Sequence, residues 1–346
     1  MKTFKKLIAV AIALMACFVF ASCSVVPAPS PSVQTSAPSE TPASSPTTDP
    51  ALISPTTGLP YSGVYQPVAV VINNHLDARP QSGLQAADVV YEVTVEASIT
   101  RFLAIFNDNL PEKVGSVRSS RVSIISLWKE WDCIFVHWGG EGDMDGPNRV
   151  KLSFNTTGIK IRVDGMVETR LMFRDDSNVA PHNGFANVAE IAKLYDYQPE
   201  PHYFFFDKDA DLSSWAGVNT VSIPYNGGSA AVKYMWDASK NAFLRFTMNK
   251  PHKDKLTGEQ ITVTNIIVMY MDHRTLPDRE HHVLITNKGH GKCIIFRNGK
   301  YIEGTWEKAS EKDSPVFKDA SGNELSLDPG NTWINIVKPN AVVNIE

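Results

Sequence analysis

The segment Gly115-Ser116-Val117-Arg118-Ser119-Ser120-Arg121 places two arginines and three serines within seven residues. Ser116 is a good N-cap for a helix over about Val117–Trp131, whose stripe Ile124, Leu127, Trp128 and Trp131 follows i, i+3, i+4, i+7 spacing. Arg118 and Arg121 would then lie in a first turn, where the helix dipole disfavours cations, so something anionic should compensate. Free backbone N–H groups, the hydroxyls of Ser119 and Ser120 and two guanidinium forks suit a phosphate or carboxylate ligand. The competing reading is that internal carboxylates neutralise these arginines.

Glu92 and Glu96 are the nearest such carboxylates. They share one face of a strand over Asp88–Glu96, with Cα atoms roughly 13 Å apart at about 3.3 Å per residue. That is too far for the direct carboxylate pair of a glycosidase, about 5 to 10 Å. Each more plausibly faces an arginine of its own, with Arg101 at the head of the next strand as one partner; a glutamate serving as general base is the alternative.

Gly139-Gly140-Glu141-Gly142-Asp143-Met144-Asp145-Gly146 is an acidic loop following a strand that carries Cys133 and His137. Read as a calcium loop from Glu141, it has Leu152 where a bidentate Glu is required, so calcium is disfavoured. Cys133 and His137 are too far apart for a thiol dyad, and Cys133 reads as core. His137, at a strand end beside a Gly-rich loop, is a candidate site residue, as are Arg174 and His182, the latter just before the N-cap candidate Asn183. His281, His282 and His290 have no acid or Cys at metal spacing and read as surface residues. No phosphate-loop, nucleophile-elbow, zinc-protease or dinucleotide motif is present, so neither a cofactor nor a metal is expected.

The elements that must position these residues fall into two halves. Residues 55–215 mix buried strands (Val68–Ile72, Phe102–Phe106, Cys133–Trp138) with the helix after Ser116 and a second one from Asn183. Residues 216–346 are nearly all strand, punctuated by turns such as Asn298-Gly299, a strong hairpin signal. The expected fold is α+β: a mixed α/β N-terminal domain followed by a mostly antiparallel β domain.

The chain has 346 residues, 43% hydrophobic and 20% charged, the proportions of an ordinary globular protein. Residues 1–22 read as a secretory signal, with Lys2, Lys5 and Lys6 ahead of the 14-residue apolar stretch Leu7–Phe20, short for a membrane span. Phe20-Ala21-Ser22-Cys23 resembles a bacterial lipobox, making Cys23 the expected lipidation site; a plain cleaved signal is the alternative. Ser, Thr and Pro make up 18 of the 27 residues from Ser24 to Pro50, so residues 23–54 form a tether rather than a core. Beyond the signal, 30 basic side chains face 37 acidic ones, a formal −7 that argues against nonspecific binding to nucleic acid. Four cysteines, two of them within the first 23 residues, support no disulfide framework or Cys-based zinc site.

Asn73, Arg79-Pro80, Gly83, Asp88, Glu92, Glu96, Thr100-Arg101 and the Gly115–Arg121 segment together resemble the YerB-like lipoprotein family of Gram-positive bacteria. So do Asn298-Gly299-Lys300, Gly304-Thr305-Trp306 and the closing Pro329-Gly330-Asn331-Thr332-Trp333. Nearly everything after residue 55 is covered, with Ala97-Ser98 standing where Gly-Gly is common and Ser116 where Pro is common. The resemblance implies two tandem domains of unknown function, the second beginning near residue 225, displayed on the outer face of the cytoplasmic membrane. It implies no established reaction. Residues and resemblance together lead to a noncatalytic module for an anionic envelope ligand or a protein partner. An envelope enzyme acting on a pyrophosphate-linked lipid or glycan, with Glu92 or Asp143 as base, is the alternative.

Overall fold

A computed structural model describes residues 52–96, 98–140, 158–225, 228–278 and 280–346. The expected lipidation site Cys23 and most of the acidic loop, Asp143 included, lie outside the described residues.

Nine principal strands build the central sheet: β1 (Val68–Asn73), β2 (Val89–Glu96), β3 (Ile99–Phe106), β4 (Ile134–His137), β5 (Arg162–Asp164), β6 (Asn265–Tyr270), β7 (Gly289–Arg297), β8 (Lys300–Lys308) and β9 (Thr332–Val337). Their spatial order is β8-β7-β6-β9-β2-β3-β1-β4-β5, with the short strands Ala216–Gly217 and Val316–Lys318 also paired to β8. The hairpins β2-β3 and β7-β8 are antiparallel, whereas β9 runs parallel to both of its neighbours, β6 and β2. Continuous apolar runs suit this sheet because both of its faces are covered; every residue of β1 and of β9 is buried. Asn298 and Gly299, with φ of 48° and 67°, form the primed turn between β7 and β8 that their sequence requires.

One face of the sheet packs on a second, antiparallel sheet whose long strands are Thr220–Ile223, Val232–Asp237 and Ala242–Thr247, and on helix α2 (Val188–Tyr195). The other face is covered by helix α1 (Val122–Trp128) and by the segment containing Phe204. The two faces of β3 show the division: Phe102, Ala104 and Phe106 join the first core, Leu103 and Ile105 the second.

The expected α+β class, with its mixed α/β N-terminal domain, is overturned. Strands make up 41% of the described residues and helices 8%, so the fold is essentially all-β. The apolar stripe Ile124, Leu127 and Trp128 is helical and buried, but α1 has seven residues and starts at Arg121, not Ser116. Val117 and Arg118 are instead drawn into the sheet's hydrogen bonding: Arg118 N–H donates to Val71 O at 2.9 Å, and Trp138 N–H to Arg118 O at 3.0 Å. The second helix begins after Asn187, whose side chain accepts from Glu190 N–H, because Gly184–Ala186 forms a strand. Pairing with neighbouring strands outweighs local helix propensity in both places.

Candidate functional site

Glu96, at the end of β2, gathers two of the candidate arginines. Its Oε1 accepts from Arg101 Nη2 at 2.6 Å, and its Oε2 from Arg121 Nη2 at 2.8 Å and Nε at 3.2 Å. His282 Nε2 lies 3.4 Å from the same Oε2. Burial pushes the Glu96 carboxyl up, but the hydrogen bond from His282 and the charges of Arg101 and Arg121 outweigh it and hold the group well below its ordinary value. The free ends of both guanidinium groups grip the segment between them: Arg101 Nη1 donates to Ser119 O at 2.7 Å and Arg121 Nη1 to Ser120 O at 3.0 Å. For these two arginines the compensating anion is internal.

Glu92 is elsewhere. Its Oε1 accepts from Asn74 Nδ2 at 3.0 Å and Thr100 Oγ1 at 2.7 Å, and its Oε2 from Arg245 of the second half, both side chains being 1% exposed. Arg245 in turn lies over the Trp333 ring at 4.5 Å and donates from Nη1 to His252 Nδ1 at 2.6 Å. Because a guanidinium only donates, His252 carries its hydrogen on Nε2, which donates to Gln81 Oε1 at 2.6 Å. Burial and the charge of Arg245 keep that imidazole neutral. Glu92 therefore has both oxygens engaged and is poorly placed to act as a base.

Arg118 differs from its neighbours, since its side chain makes no hydrogen bond or ion pair with the described residues. It lines a cleft of about 390 Å³ together with Ser119, Trp138, Gly139, Gly140, Met166, Arg174, Pro181 and Gly184. Among the described residues, no carboxylate lines it. Burial, and then repulsion from Arg121, depress the pKa of Arg118 and outweigh the opposing charge of Glu96. Arg174 reaches the same cleft, its guanidinium 4.6 Å over the Trp138 ring and hydrogen-bonded to Asn183 Oδ1 at 2.6 Å. Trp138 itself sits between two glycines: a Cβ on Gly165 or Gly184 would come within 2.4 and 2.5 Å of its ring.

The remaining candidates support this cleft or lie behind it. Ser119 Oγ donates to Trp138 O at 3.2 Å, and Ser120 is buried with no hydrogen-bond partner for its hydroxyl among the described residues. His137 is buried; its Nδ1 donates to Gly139 O at 2.6 Å, and burial depresses its pKa, so it braces the Gly139 backbone as a neutral ring. Asp164 holds the same loop by accepting from Gly139 N–H at 2.8 Å and Met166 N–H at 3.0 Å.

His182 stacks on His75 with ring centroids 5.1 Å apart, and burial followed by the charge of Arg118 lowers its pKa. With Asp77 these rings make a cluster of metal-ligand type, but its chemistry does not fit a metal. Asn73 Oδ1 accepts from His75 N–H at 3.0 Å, which orients the Asn73 amide so that its Nδ2 donates to His182 Nδ1 at 2.8 Å. His182 Nδ1 is thus occupied, and Nε2 carries the hydrogen and offers a donor. A second cluster, Asp278, Glu280 and His282, has His282 already bonded to Asp278 and placed against Glu96. Cys133 and Cys293 are free, buried thiols, and burial pushes the pKa of Cys293 up to about 12.

The proposed site residues thus separate into a closed knot (Glu96, Arg101, Arg121), a buried pair (Glu92 with Arg245) and an open cleft (Arg118, Ser119, Arg174, with His182 close by). Sequence reasoning missed Arg245, His252 and Trp138, and its reading of His282 as a surface residue is corrected, for that side chain is buried. Arg245 had a legible signal, for it shares the inward face of its strand with Phe243, where a cation is out of place unless paired.

Residues 56–200 match the family described as "Protein of unknown function (DUF3048) N-terminal domain", and residues 221–334 match its C-terminal domain. The chain belongs to the DUF3048 family. "Putative lipoprotein YerB" of Bacillus subtilis (strain 168) is 34% identical over 279 residues, covering 79% of this chain and 81% of that protein. The crystal structure of the YerB protein from Bacillus subtilis superposes with a TM-score of 0.72 at 31% identity, covering 85% of this chain and 99% of the other. The DUF3048 match spans both the cleft and the Glu92–Arg245 pair, whose two members come from its N-terminal and C-terminal parts.

Proposed function

We propose that this protein is a lipid-anchored module of the cell envelope, held through Cys23 on the outer face of the cytoplasmic membrane, that binds an anionic ligand without transforming it. The anchor rests on the lipobox-like Phe20-Ala21-Ser22-Cys23 and on the name of the Bacillus relative. The binding reading rests on one observation: Arg118 is half-buried in a cleft, beside Arg174, with no carboxylate within ion-pair reach among the described residues. A phosphate or carboxylate there would relieve the repulsion from Arg121 and replace lost hydration with charge-assisted hydrogen bonds. Of the two candidate bases for a catalytic role, Glu92 is committed to Arg245, Thr100 and Asn74, and Asp143 lies outside the described residues.

Calorimetric titration of residues 49–346 with inorganic phosphate, sulfate and citrate tests the binding. This unit is compact by itself and contains both cores. Arg118→Ala should weaken anion binding roughly tenfold or more, the scale of one lost charge-assisted bond, with little change in melting temperature. Equal affinity of wild type and Arg118→Ala, or no binding by either, removes the basis of the proposal.

A further inference from the structure

The walls of the Arg118 cleft combine charge with unusual apolar exposure. Met166 lines the cleft and is 66% exposed, and Val167 beside it is 78% exposed. Pro181 is a further lining residue, and Val179, joined to it by a tight turn in which His182 N–H donates to Val179 O at 2.9 Å, is 82% exposed. Val179 and Val167 are the two most exposed large hydrophobic side chains among the described residues. Exposed single apolar residues are ordinary, but these are close in sequence to Met166 and Pro181, which line the cleft in which two arginines have no carboxylate among the described lining residues. A small free anion would gain nothing from that rim. An amphiphile would use both parts.

Resting on the anion-binding reading above, we infer that the ligand is the phosphate headgroup of an anionic phospholipid in a bilayer, with Met166, Val167 and Val179 entering the interface around it. Arginine at headgroup depth with aliphatic side chains just below is the arrangement by which folded domains hold a membrane surface. Charge makes the contact directional. The chain beyond the signal carries a formal −7, so an anionic surface repels the body of the protein and attracts it only through a basic patch.

Co-sedimentation of residues 49–346 with vesicles of phosphatidylglycerol and phosphatidylcholine, against vesicles of phosphatidylcholine alone, tests this. Binding should require the anionic lipid and weaken as salt rises. It should fall roughly tenfold or more in Arg118→Ala and in the double variant Val167→Ser/Val179→Ser, which removes apolar surface without adding charge and whose sites are too exposed to carry the fold. The double variant should still bind inorganic phosphate as wild type does. Phosphate binding that depends on Arg118, without vesicle binding, overturns the lipid inference and leaves the anion site standing. Vesicle binding that ignores the double variant overturns the apolar rim, and with it the inference. Failure to bind either ligand overturns both readings.

Discussion

Arg101, Arg118 and Arg121 look equivalent in sequence and are not. Two of them share Glu96, and the third is left facing a cleft. Spacing suggested that an anion was needed but could not say which arginine would lack one, because that depends on which carboxylates the sheet register brings near. Glu92 was out of reach of such reasoning altogether: its partner lies 153 residues along the chain. At this scale acid should also leave a mark. His202 is buried against Trp131, neither nitrogen has a hydrogen-bond partner among the described residues, and burial lowers its pKa from 6.5 to about 4. The neutral ring is the native form, so its contribution is fully present above pH 6.5 and is lost as pH falls towards 4, by about 3 kcal/mol in total. Urea midpoints measured across that range should fall for wild type and fall less for His202→Phe.

Elements were legible where both faces of a strand are buried and obscure where a short segment had a choice. The runs now seen as β1 and β3 declared themselves by composition, and Asn298-Gly299 by turn chemistry. The stretch from Val117 to Ser120 misled because its serines and the apolar stripe after them fit a helix start, whereas bridges from Ile72 to Val117 and from Val71 to Arg118 extend it. That extension matters for function, since it aims Arg118 at the cleft rather than along a helix flank. The strand Gly184–Ala186 plays the matching part opposite, its first glycine lying flat against Trp138. Gly184→Ala should cost about 1–3 kcal/mol through overpacking against a rigid ring and weaken anion binding by displacing Trp138 from Arg174. Chemical denaturation together with the phosphate titration checks both effects; an alanine accepted without loss would mean that the ring has room to move.

For the whole molecule, the two sequence-defined halves share one sheet. Parallel pairing of β9 with β2 joins them through backbone hydrogen bonds, and Glu92–Arg245 joins them through buried charge. Removing one partner of a buried pair strands the other, so Arg245→Ala should lower stability by about 3–5 kcal/mol. Because that pair spans the junction, unfolding should remain a single transition reported alike by tryptophan fluorescence and circular dichroism; two separated transitions would contradict a shared core. The N-terminal and C-terminal family matches, residues 56–200 and 221–334, also divide the chain near residue 216, and strands from both parts enter this sheet.

The position of β9 also sets an order of events during synthesis. Its six residues follow β2 and β6 in sequence, yet they occupy the middle of the sheet, between those two strands. Until they emerge, β2 and β6 each present an unpaired apolar edge with no neighbour to close it. A chain released early, or clipped anywhere ahead of Thr332, would therefore forfeit its keystone rather than a tail.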